Sequence, residues 1–185
     1  MSILLETIEA VLNRSGIILY PTDTVWGIGC DATNATAIEK LYALKKRKKE
    51  QPLIILVSSI DMLKEYVEDI PVFVLDFLNT LKKPTTIIYP KAKKLPDILL
   101  SSDKSIGIRL VQKYIIHDII LKFGKPIVST SANFSGKPVP KNYKSIDSEL
   151  ITLVDFVVPE KYDISENVKP SDIYKIVDDK LIQIR

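Results

Sequence analysis

Short apolar runs with strand character alternate with helical patterns along most of the chain. The runs are rich in β-branched residues and end at Pro, Gly or polar residues, which is typical of buried strands. The predicted strands are residues 17–20, 53–57, 85–89, 105–110, 126–130, 156–158, 173–177 and 181–184. This alternation indicates a layered α/β or α+β domain.

Helical spacing of apolar side chains marks several of the segments between the strands. The pattern over residues 38–44 follows Asn34, whose side chain can cap a helix that runs into a basic cluster. Asp61 is the predicted cap of the next helix, and Gly124 is the predicted C-terminal cap of a later one. The predicted long loops are residues 22–34 and 131–144.

The composition is that of a globular protein. Of 185 residues, 46% are hydrophobic and 26% charged, and the mean hydropathy is +0.11, which excludes disorder over most of the length. No apolar run is bilayer-sized and no signal peptide precedes the first strand. We therefore expect one cytoplasmic domain spanning residues 1–185. Cys30 and His117 are the sole cysteine and histidine, which excludes an internal disulfide and a Cys/His zinc cluster.

The net charge of +3 hides a strong asymmetry along the chain. Residues 1–44 sum to −3, residues 45–144 to +10, and residues 145–185 to −4. A basic middle between acidic ends predicts a positive surface for an anionic partner, either nucleotide phosphates or nucleic acid. A lysine-rich face that is simply solvated gives the same pattern.

A first candidate ligand loop follows the strand at residues 17–20. It contains Thr22 and Thr24 and ends at Gly27, so hydroxyls and backbone N–H groups can face a small polar ligand. The alternative is a turn in which these hydroxyls bond their own backbone.

A second candidate is the basic run at residues 45–49, just before the strand at residues 53–57. Lys45 and Arg47 can reach over the sheet edge to a phosphate chain, where arginine makes bidentate contacts and lysine acts as a point charge. The alternatives are a favourable interaction with the helix dipole and a solvated basic face.

A third candidate loop, residues 129–136, combines four hydroxyls, the Asn133 amide and a glycine directly after a strand. Such a density of donors and acceptors can hold phosphate oxygens or a base edge, although the same groups can bond only one another. Arg109 stands on an otherwise apolar strand. A buried arginine needs a partner, which a ligand carboxylate or a protein Asp or Glu can supply.

These loops, taken in chain order, resemble the YrdC-like family of threonylcarbamoyl-AMP synthases from about Ile17 to the last residue. The likeness rests on Pro-Thr-Asp-Thr-Val-Trp-Gly at residues 21–27, Lys45-x-Arg47 followed by Pro-Leu, Gly-Ile-Arg109, and Ser-Ala-Asn-x-Ser-Gly at residues 131–136. The resemblance implies a twisted, mixed open sheet flanked by helices, with a large positively charged cavity, in the short, single-domain form of the family.

The resemblance also implies an activity: synthesis of L-threonylcarbamoyladenylate and pyrophosphate from L-threonine, bicarbonate or CO2, and ATP, with Mg²⁺ accompanying ATP. The product feeds the threonylcarbamoyladenosine modification of tRNA, through a partner transferase complex. The chemistry requires charge neutralisation and alignment of two anions rather than a covalent nucleophile, which suits a chain with one cysteine and one histidine.

The resemblance further assigns roles to residues of this sequence. Lys45 and Arg47 hold the ATP phosphates and are the candidate catalytic residues, while Thr22 and Arg109 hold L-threonine, with Arg109 on its carboxylate. The other nucleotide-binding residues that it implies are Thr86, Ser131, Asn133 and Arg185. It implies no metal ligand among the protein side chains.

Three positions depart from the family pattern. Lys-Lys-Pro stands at residues 82–84 where Pro-Gly-Pro is common, Leu56 replaces a histidine found in a number of relatives, and Val139 replaces a frequent serine. These departures concern contacts at the periphery of the expected site.

Two rival functions fit parts of the sequence. A non-catalytic module that binds tRNA or double-stranded RNA would use the basic cavity for a phosphate backbone and would show steep salt dependence. The sequence has few clustered aromatic residues for base stacking. An enzyme that makes a carbamoyl-adenylate from carbamoyl phosphate is the other rival, but such relatives usually have companion domains.

Overall fold

A computed structural model describes residues 1–163 and 170–185. The helices are α1 (Ser2–Asn13), α2 (Ala35–Leu44), α3 (Ile60–Tyr66), α4 (Val72–Thr80), α5 (Tyr114–Phe123) and α6 (Ser148–Leu153). The strands are β1 (Ile18–Tyr20), β2 (Gly27–Gly29), β3 (Ile54–Val57), β4 (Thr85–Tyr89), β5 (Ile106–Leu110), β6 (Ile127–Ser131), β7 (Phe156–Val157), β8 (Asp172–Val177) and β9 (Lys180–Gln183). Within these two ranges, no helix has the length and apolar character needed to cross a bilayer.

The strands form one nine-stranded sheet in the order β7-β1-β2-β6-β3-β5-β4-β8-β9. Three neighbouring pairs are parallel, β1 with β7, β3 with β5, and β4 with β8, and the other pairs are antiparallel. The predicted fold class is therefore confirmed as a mixed open sheet flanked by helices.

Helices cover both faces of this sheet. Apolar residues of α2, α3, α4 and α6 pack with one face, which includes Ile55, Ile87 and Ile108. Apolar residues of α1 and α5 pack with the other face around Ile18 and Leu56. Because side chains alternate between the two faces of a strand, β3 directs Ile55 and Val57 to the first core and Leu56 to the second.

The second face is covered over only part of its width, and a cavity occupies the rest. On β4, Ile87 belongs to the first core, whereas the alternate residues Thr86 and Ile88 line the cavity. On β5, Ile108 belongs to the same core, whereas Arg109 lines the cavity. The period-2 pattern of these strands therefore sends polar side chains to the open part of the sheet face.

The eight predicted strands are present, with ends that shift by at most one residue. Asn34 caps α2 by accepting a hydrogen bond from the Ala37 backbone N–H, and Gly124 ends α5 with a left-handed φ of 71°. The cap of α3 was predicted wrongly. Ser59 accepts the hydrogen bond from the Met62 N–H, while Asp61 lies in the first turn of that helix.

Three elements were missing from the sequence prediction. The stretch predicted as a loop at residues 22–34 contains β2, whose Gly-Ile-Gly sequence has low strand propensity and which pairs with β1 and β6. Helix α1 has no side-chain cap and no acidic residue in its first turn, so the usual start signals are absent. Helix α6 is six residues long, too short for a periodic pattern.

Candidate functional site

The open sheet face holds a cavity of about 610 Å³, a size typical of small-molecule sites. Six of the eight residues predicted from the sequence line it: Thr22, Arg47, Thr86, Arg109, Ser131 and Arg185. A second hollow of about 470 Å³ contains the other two, Lys45 and Asn133. The two hollows share Arg47, Pro52 and Ser131, so the structure brings all eight residues into one region.

One group of residues, the Arg109 cluster, consists of Thr22, Asp23, Thr24 and Arg109. Strand β5 places Arg109 beneath the loop that follows β1, and its side chain is only 4% exposed. Its Nη2 lies 3.1 Å from Asp23 Oδ1, and its Nη1 donates a hydrogen bond of 3.1 Å to Thr24 Oγ1. The protein partner that sequence reasoning left open for this arginine is therefore Asp23.

Two buried atoms of this cluster have no hydrogen-bond partner: Arg109 Nε and Asp23 Oδ1. They are the sole such side-chain atoms in the described ranges, residues 1–163 and 170–185. The contact between Asp23 and Arg109 is thus an ion pair without a hydrogen bond. An unsatisfied buried polar atom costs free energy in a folded protein, and this cost is concentrated beside the cavity.

Thr22 is buried within its own turn. Its Oγ1 donates to the Val25 carbonyl at 2.7 Å, accepts from the backbone N–H groups of Thr24 and Val25, and contacts Thr24 Oγ1 at 2.9 Å. The predicted alternative, a turn whose hydroxyls satisfy its own backbone, therefore describes Thr22 in the structure. The residue still lines the cavity, and a role in holding L-threonine stays a prediction.

A second group, the Lys45 cluster, consists of Lys45, Arg47, Ser131 and Asn133. Its position depends on the C-terminal turn of α2. The Arg47 backbone N–H donates to the Tyr42 carbonyl and the Lys46 N–H to the Ala43 carbonyl, while Lys46 has a left-handed φ of 52°. This pair of bonds around a left-handed residue is a Schellman motif. It turns the chain so that the residues on either side of Lys46 face the sheet edge.

Lys45 is almost fully buried, at 1% exposure. Its Nζ donates to the carbonyls of Ser131 and Asn133 at 2.5 and 2.6 Å and to Asn133 Oδ1 at 3.5 Å. Its own carbonyl accepts from the Ser135 N–H at 3.0 Å. Lys45 therefore fastens the loop after β6 to the end of α2. Burial, and then the neighbouring Arg47 charge, lower the pKa of Lys45 to about 7.

Arg47 lines both hollows and is held by the segment before β3. Its Nε donates to the Gln51 carbonyl at 3.2 Å and its Nη2 to the Pro52 carbonyl at 3.0 Å. Burial lowers its pKa. Nη1 makes no hydrogen bond among the described residues, so the guanidinium keeps donors for an anion in the cavity.

The loop after β6 is held by its own polar side chains. Ser131 Oγ donates to Asn133 Oδ1 at 2.6 Å, and Asn133 Nδ2 donates to the Lys137 carbonyl at 2.5 Å. The alternative left open by the sequence was a loop whose polar groups bond one another, and these bonds are present. Ser131 still lines both hollows and Asn133 the smaller one, and their binding roles stay predictions.

Thr86 and Arg185 meet at the far side of the cavity, around a residue that sequence reasoning missed. Thr86 Oγ1 lies 2.9 Å from Ser171 Oγ, and Arg185 Nη2 and Nε donate to the Ser171 carbonyl at 3.1 and 3.3 Å. Ser171 is buried and lines the cavity. It stands just before a predicted strand, but nothing local in the sequence links it to Thr86.

Gly107 lines the cavity next to Ile54 and Thr86. A Cβ at this position would lie 3.0 Å from Ile54 Cγ2 and 3.3 Å from Thr86 Cγ2. A larger residue would crowd these neighbours and fill part of the cavity, so the glycine keeps this strip of the sheet face open.

The cavity lining carries four basic side chains, Arg47, Arg109, Lys175 and Arg185, and one carboxylate, Asp103. Asp103 lies 3.7 Å from Lys175 and accepts hydrogen bonds from Ser105, which lower its pKa. The excess of basic groups suits an anionic ligand. The positive potential that the resemblance implies stays a prediction.

Magnesium fits this lining as a companion of phosphate. In residues 1–163 and 170–185 no three His, Cys, Asp or Glu side chains group closely enough to hold a metal. Mg²⁺ commonly keeps its waters and binds substrate phosphates with only one or two carboxylates. One carboxylate, Asp103, lines the cavity, which is within the number that Mg²⁺ uses beside substrate phosphates, and Mg²⁺ stays a prediction.

A family model described as telomere recombination, and named for Sua5, YciO and YrdC, matches residues 10–185. The chain belongs to the Sua5/YciO/YrdC family. A relative from Xanthomonas euvesicatoria pv. vesicatoria (strain 85-10), named threonylcarbamoyl-AMP synthase, is 32% identical over 158 residues. That match covers 83% of this chain and 84% of the relative. The resemblance seen in the sequence is thus confirmed at the level of the family.

Two solved structures have the same fold as this chain. P. abyssi Sua5 complexed with L-threonine matches with a TM-score of 0.90 at 21% identity, over 98% of this chain and 53% of that one. This chain therefore spans about half the length of Sua5. Full-length HypF in its phosphate- and nucleotide-bound form matches with a TM-score of 0.84 at 19% identity, over 98% of this chain and 28% of that one.

The three departures from the family pattern lie in different surroundings. Leu56 is fully buried in the core formed with α1 and α5, whereas Val139 lines the cavity and is 42% exposed. Lys82 and Lys83 are exposed before β4. Val139 is thus the departure that changes the wall of the cavity.

Proposed function

We propose that this protein is an L-threonylcarbamoyladenylate synthase. The overall reaction is L-threonine, bicarbonate and ATP giving L-threonylcarbamoyl-AMP, pyrophosphate and water. One observation carries the proposal: a single region joins the Lys45 cluster to a buried arginine with an unpartnered Nε. Membership of a family with relatives named threonylcarbamoyl-AMP synthase supports it.

The proposed chemistry is an adenylyl transfer, which makes the enzyme a nucleotidyltransferase. Bicarbonate takes up a proton and loses water to give CO2, and the neutral amino group of L-threonine adds to CO2 and releases a proton to form a carbamate. A carbamate oxygen then attacks the α-phosphorus of ATP, the bond from that phosphorus to the bridging oxygen breaks, and pyrophosphate leaves. Both reactants are anions, so holding them together and neutralising their charge is the main task of the protein.

The Lys45 cluster forms the nucleotide side of this proposal. Arg47 keeps guanidinium donors toward both hollows, and an arginine fork suits phosphate oxygens. The charge of Lys45 attracts the phosphates, and its hydrogen bonds hold the loop that carries Ser131 and Asn133. Thr86, Ser171 and Arg185 hold the rest of the nucleotide at the far side of the cavity. Bound together with ATP, Mg²⁺ would neutralise part of the triphosphate charge beside Arg47.

The Arg109 cluster forms the amino-acid side. The Arg109 guanidinium is buried at the edge of the cavity and has an unused Nε–H, which suits a carboxylate. Two solved relatives carry ligands of the two classes that the proposal requires of this cavity: Sua5 is complexed with L-threonine, and HypF binds phosphate and a nucleotide.

The proposal also concerns the wider setting of the reaction. The product would pass to a transferase complex that modifies tRNA, in the cytoplasm where ATP and tRNA occur. Residues 1–185 would serve as one catalytic domain.

The test is pyrophosphate release from ATP by the purified protein with Mg²⁺ and bicarbonate, with and without L-threonine. We expect release that depends on L-threonine, and an adenylate whose mass rises by one unit when the bicarbonate carries ¹³C. Omission of bicarbonate and replacement of L-threonine by L-serine are the matched controls. No turnover together with tight, salt-sensitive RNA binding would contradict the synthase and favour the RNA-binding alternative.

A further inference from the structure

Strand β8 separates the cavity from the first core by the alternation of its side chains. Ile173 and Lys175 line the cavity, whereas Tyr174 and Ile176 pack against the first core. Residues that pair across two neighbouring strands lie on the same face of a sheet. The residues of β8 therefore show which face each residue of its partner β9 occupies.

Strand β9 follows this alternation as far as its last residue. Ile182 pairs with Lys175 and so lies on the cavity face. Gln183 pairs with Tyr174 and so lies on the opposite face. If the ladder continued regularly, Ile184 would lie on the cavity face and the residue after it would point away from the cavity.

The structure departs from a regular ladder directly after β9. The backbone N–H groups of Ile184 and Arg185 both donate to the Ile173 carbonyl, at 2.8 and 3.3 Å, and the Ile173 N–H donates to the Arg185 carbonyl at 2.9 Å. Two residues of one strand thus oppose one residue of the other, which is a β-bulge. The extra residue changes which side chain meets the site, because Arg185 lines the cavity whereas Ile184 is 56% exposed.

The bulge leaves part of the Arg185 guanidinium available at the cavity wall. Its Nε and Nη2 donate to the Ser171 carbonyl at 3.3 and 3.1 Å. Its Nη1 makes no hydrogen bond within the part of the chain that the structure describes, residues 1–163 and 170–185. Bulges beside functional sites commonly re-aim a side chain, and this one aims a cation with spare N–H donors into the cavity.

We propose that the β-bulge at Ile184 positions Arg185 for the nucleotide, which makes Ile184 a positioning residue that acts through its backbone. The inference rests on the proposed function, which places Arg185 on the nucleotide, and adds the feature that brings this side chain to the cavity. Ile184 itself contacts no substrate, and no covalent step is assigned to either residue.

The bonds that hold the bulge do not involve the side chains of residues 184 and 185. They join the backbone to Ile173, and Gln183 Nε2 also donates to the Arg185 carbonyl at 3.1 Å. An exchange of the two side chains should therefore leave the bulge in place and turn an arginine at position 184 away from the cavity. If the strand end instead adopts a regular ladder, an arginine at position 184 would reach the cavity.

The first experiment makes this exchange in the full chain. Titration calorimetry measures the binding of ATP with Mg²⁺ to the wild type, to Arg185→Ile and to the double variant Ile184→Arg/Arg185→Ile. We expect both variants to bind ATP about tenfold more weakly than the wild type, since a charged hydrogen bond is lost, and to agree within about twofold. Lys180→Ile, which removes a cation from an exposed position of β9, is the matched control.

Two outcomes of this experiment would overturn the inference. One is a double variant that recovers most of the affinity lost in Arg185→Ile, because position 184 would then reach the nucleotide as well. The other is an Arg185→Ile variant that binds ATP as tightly as the wild type does.

The second experiment deletes Ile184, and it decides the question if denaturant unfolding shows that the double variant does not fold. One residue then remains opposite Ile173, so the arginine takes the cavity face of a regular ladder. We expect the deletion variant to bind ATP within about threefold of the wild type, although it has arginine directly after Gln183 as the double variant does. Binding as weak as that of Arg185→Ile would overturn the inference.

Failure of this inference and failure of the proposed function give different results. A wild type that binds ATP, with variants that follow the expected pattern, but that releases no pyrophosphate with L-threonine would overturn the function alone. Release that depends on L-threonine, together with recovery of ATP binding in the double variant, would overturn the inference alone. A wild type that binds no ATP would overturn both.

Discussion

The Lys45 cluster and the Arg109 cluster differ in how their buried charged groups are paired. In the Lys45 cluster the buried ammonium donates to three protein oxygens, and the loop after β6 is fixed by these bonds. In the Arg109 cluster a buried ion pair has an unsatisfied atom on each partner. Protein groups satisfy the buried Lys45 ammonium, whereas Arg109 Nε and Asp23 Oδ1 have no protein hydrogen-bond partner.

This difference indicates how each side contributes to the proposed reaction. A loop that is fixed in advance can present Ser131 and Asn133 to a nucleotide without a further ordering cost. At the Arg109 cluster, the unused Nε–H of Arg109 is a donor for a carboxylate. Variants of the Lys45 cluster should therefore loosen the loop after β6. Variants of the Arg109 cluster should change the binding of charged ligands.

The largest expected effect comes from breaking the buried pair. Arg109→Ala leaves Asp23 as a buried charge without its partner, which typically costs about 3–5 kcal/mol of stability. Denaturant unfolding should show this loss, and the double variant Asp23→Asn/Arg109→Ala should recover a large part of it. Arg14→Ala, at an exposed residue, is the control. A loss below about 1 kcal/mol, as for a surface pair, would contradict the account of the Arg109 cluster.

The next effect tests the fastening role of Lys45. Lys45→Met keeps the apolar stem but leaves buried carbonyls of the loop unpaired, at about 1–3 kcal/mol for each such group. Hydrogen exchange over residues 131–137 should quicken, and the KM for ATP should rise about tenfold, with the KM for L-threonine little changed.

Lys48→Met is the matched control, because Lys48 is exposed and belongs to the same basic run. Unchanged hydrogen exchange in Lys45→Met would show that the loop does not depend on this side chain.

A smaller effect concerns pH. Burial and the Arg47 charge lower the pKa of Lys45 to about 7 from 10.5. A bound polyphosphate favours the charged lysine, so ATP binding takes up a proton above pH 7 and weakens as pH rises, by at most about tenfold per unit. Titration calorimetry between pH 6.5 and 9 should show this slope in the wild type and a flatter one in Lys45→Met.

The lowered pKa of Lys45 has the opposite effect on the stability of the ligand-free protein. Between pH 7 and 10.5 the unfolded chain holds more protons on Lys45 than the folded chain does. The free energy of unfolding of the wild type should therefore rise with pH relative to that of Lys45→Met. A difference that is constant across this range would contradict the lowered pKa.

The smallest effect is expected on the far side of the cavity. Thr86→Val removes the hydrogen bond to Ser171 Oγ and should lower stability by about 1 kcal/mol, with a modest rise in the KM for ATP. Thr36→Val, at an exposed position of α2, is the control for the change of side chain. A stability loss equal to that of the control would mean that this bond contributes nothing.

The sequence predicted the positions of the site residues better than it predicted their bonds. Arg109 was identified because a charge on an apolar strand needs a partner, but its partner Asp23 lies in a distant turn that only the fold brings near. Lys45 was identified as part of a basic run. Its burial under the loop after β6 depends on how α2 packs against the sheet, which no local pattern contains.

The fold shows the same division between local and distant information. Strands with continuous β-branched runs were predicted to within one residue because burial fixes their pattern. Strand β2 was missed because its two glycines have no strand propensity, and its pairing with β1 and β6 decides its structure. The cap of α3 was misplaced because Ser59 and Asp61 are both suitable cap residues and stand two positions apart.

The central claim is that the two clusters hold different substrates, and a crossed kinetic measurement tests it most directly. The KM for ATP and the KM for L-threonine are measured for the wild type, Arg47→Ala and Arg109→Lys. Arg47→Ala should raise the KM for ATP about tenfold and leave that for L-threonine within about twofold, and Arg109→Lys should do the reverse. Equal effects of both variants on both substrates would contradict the account.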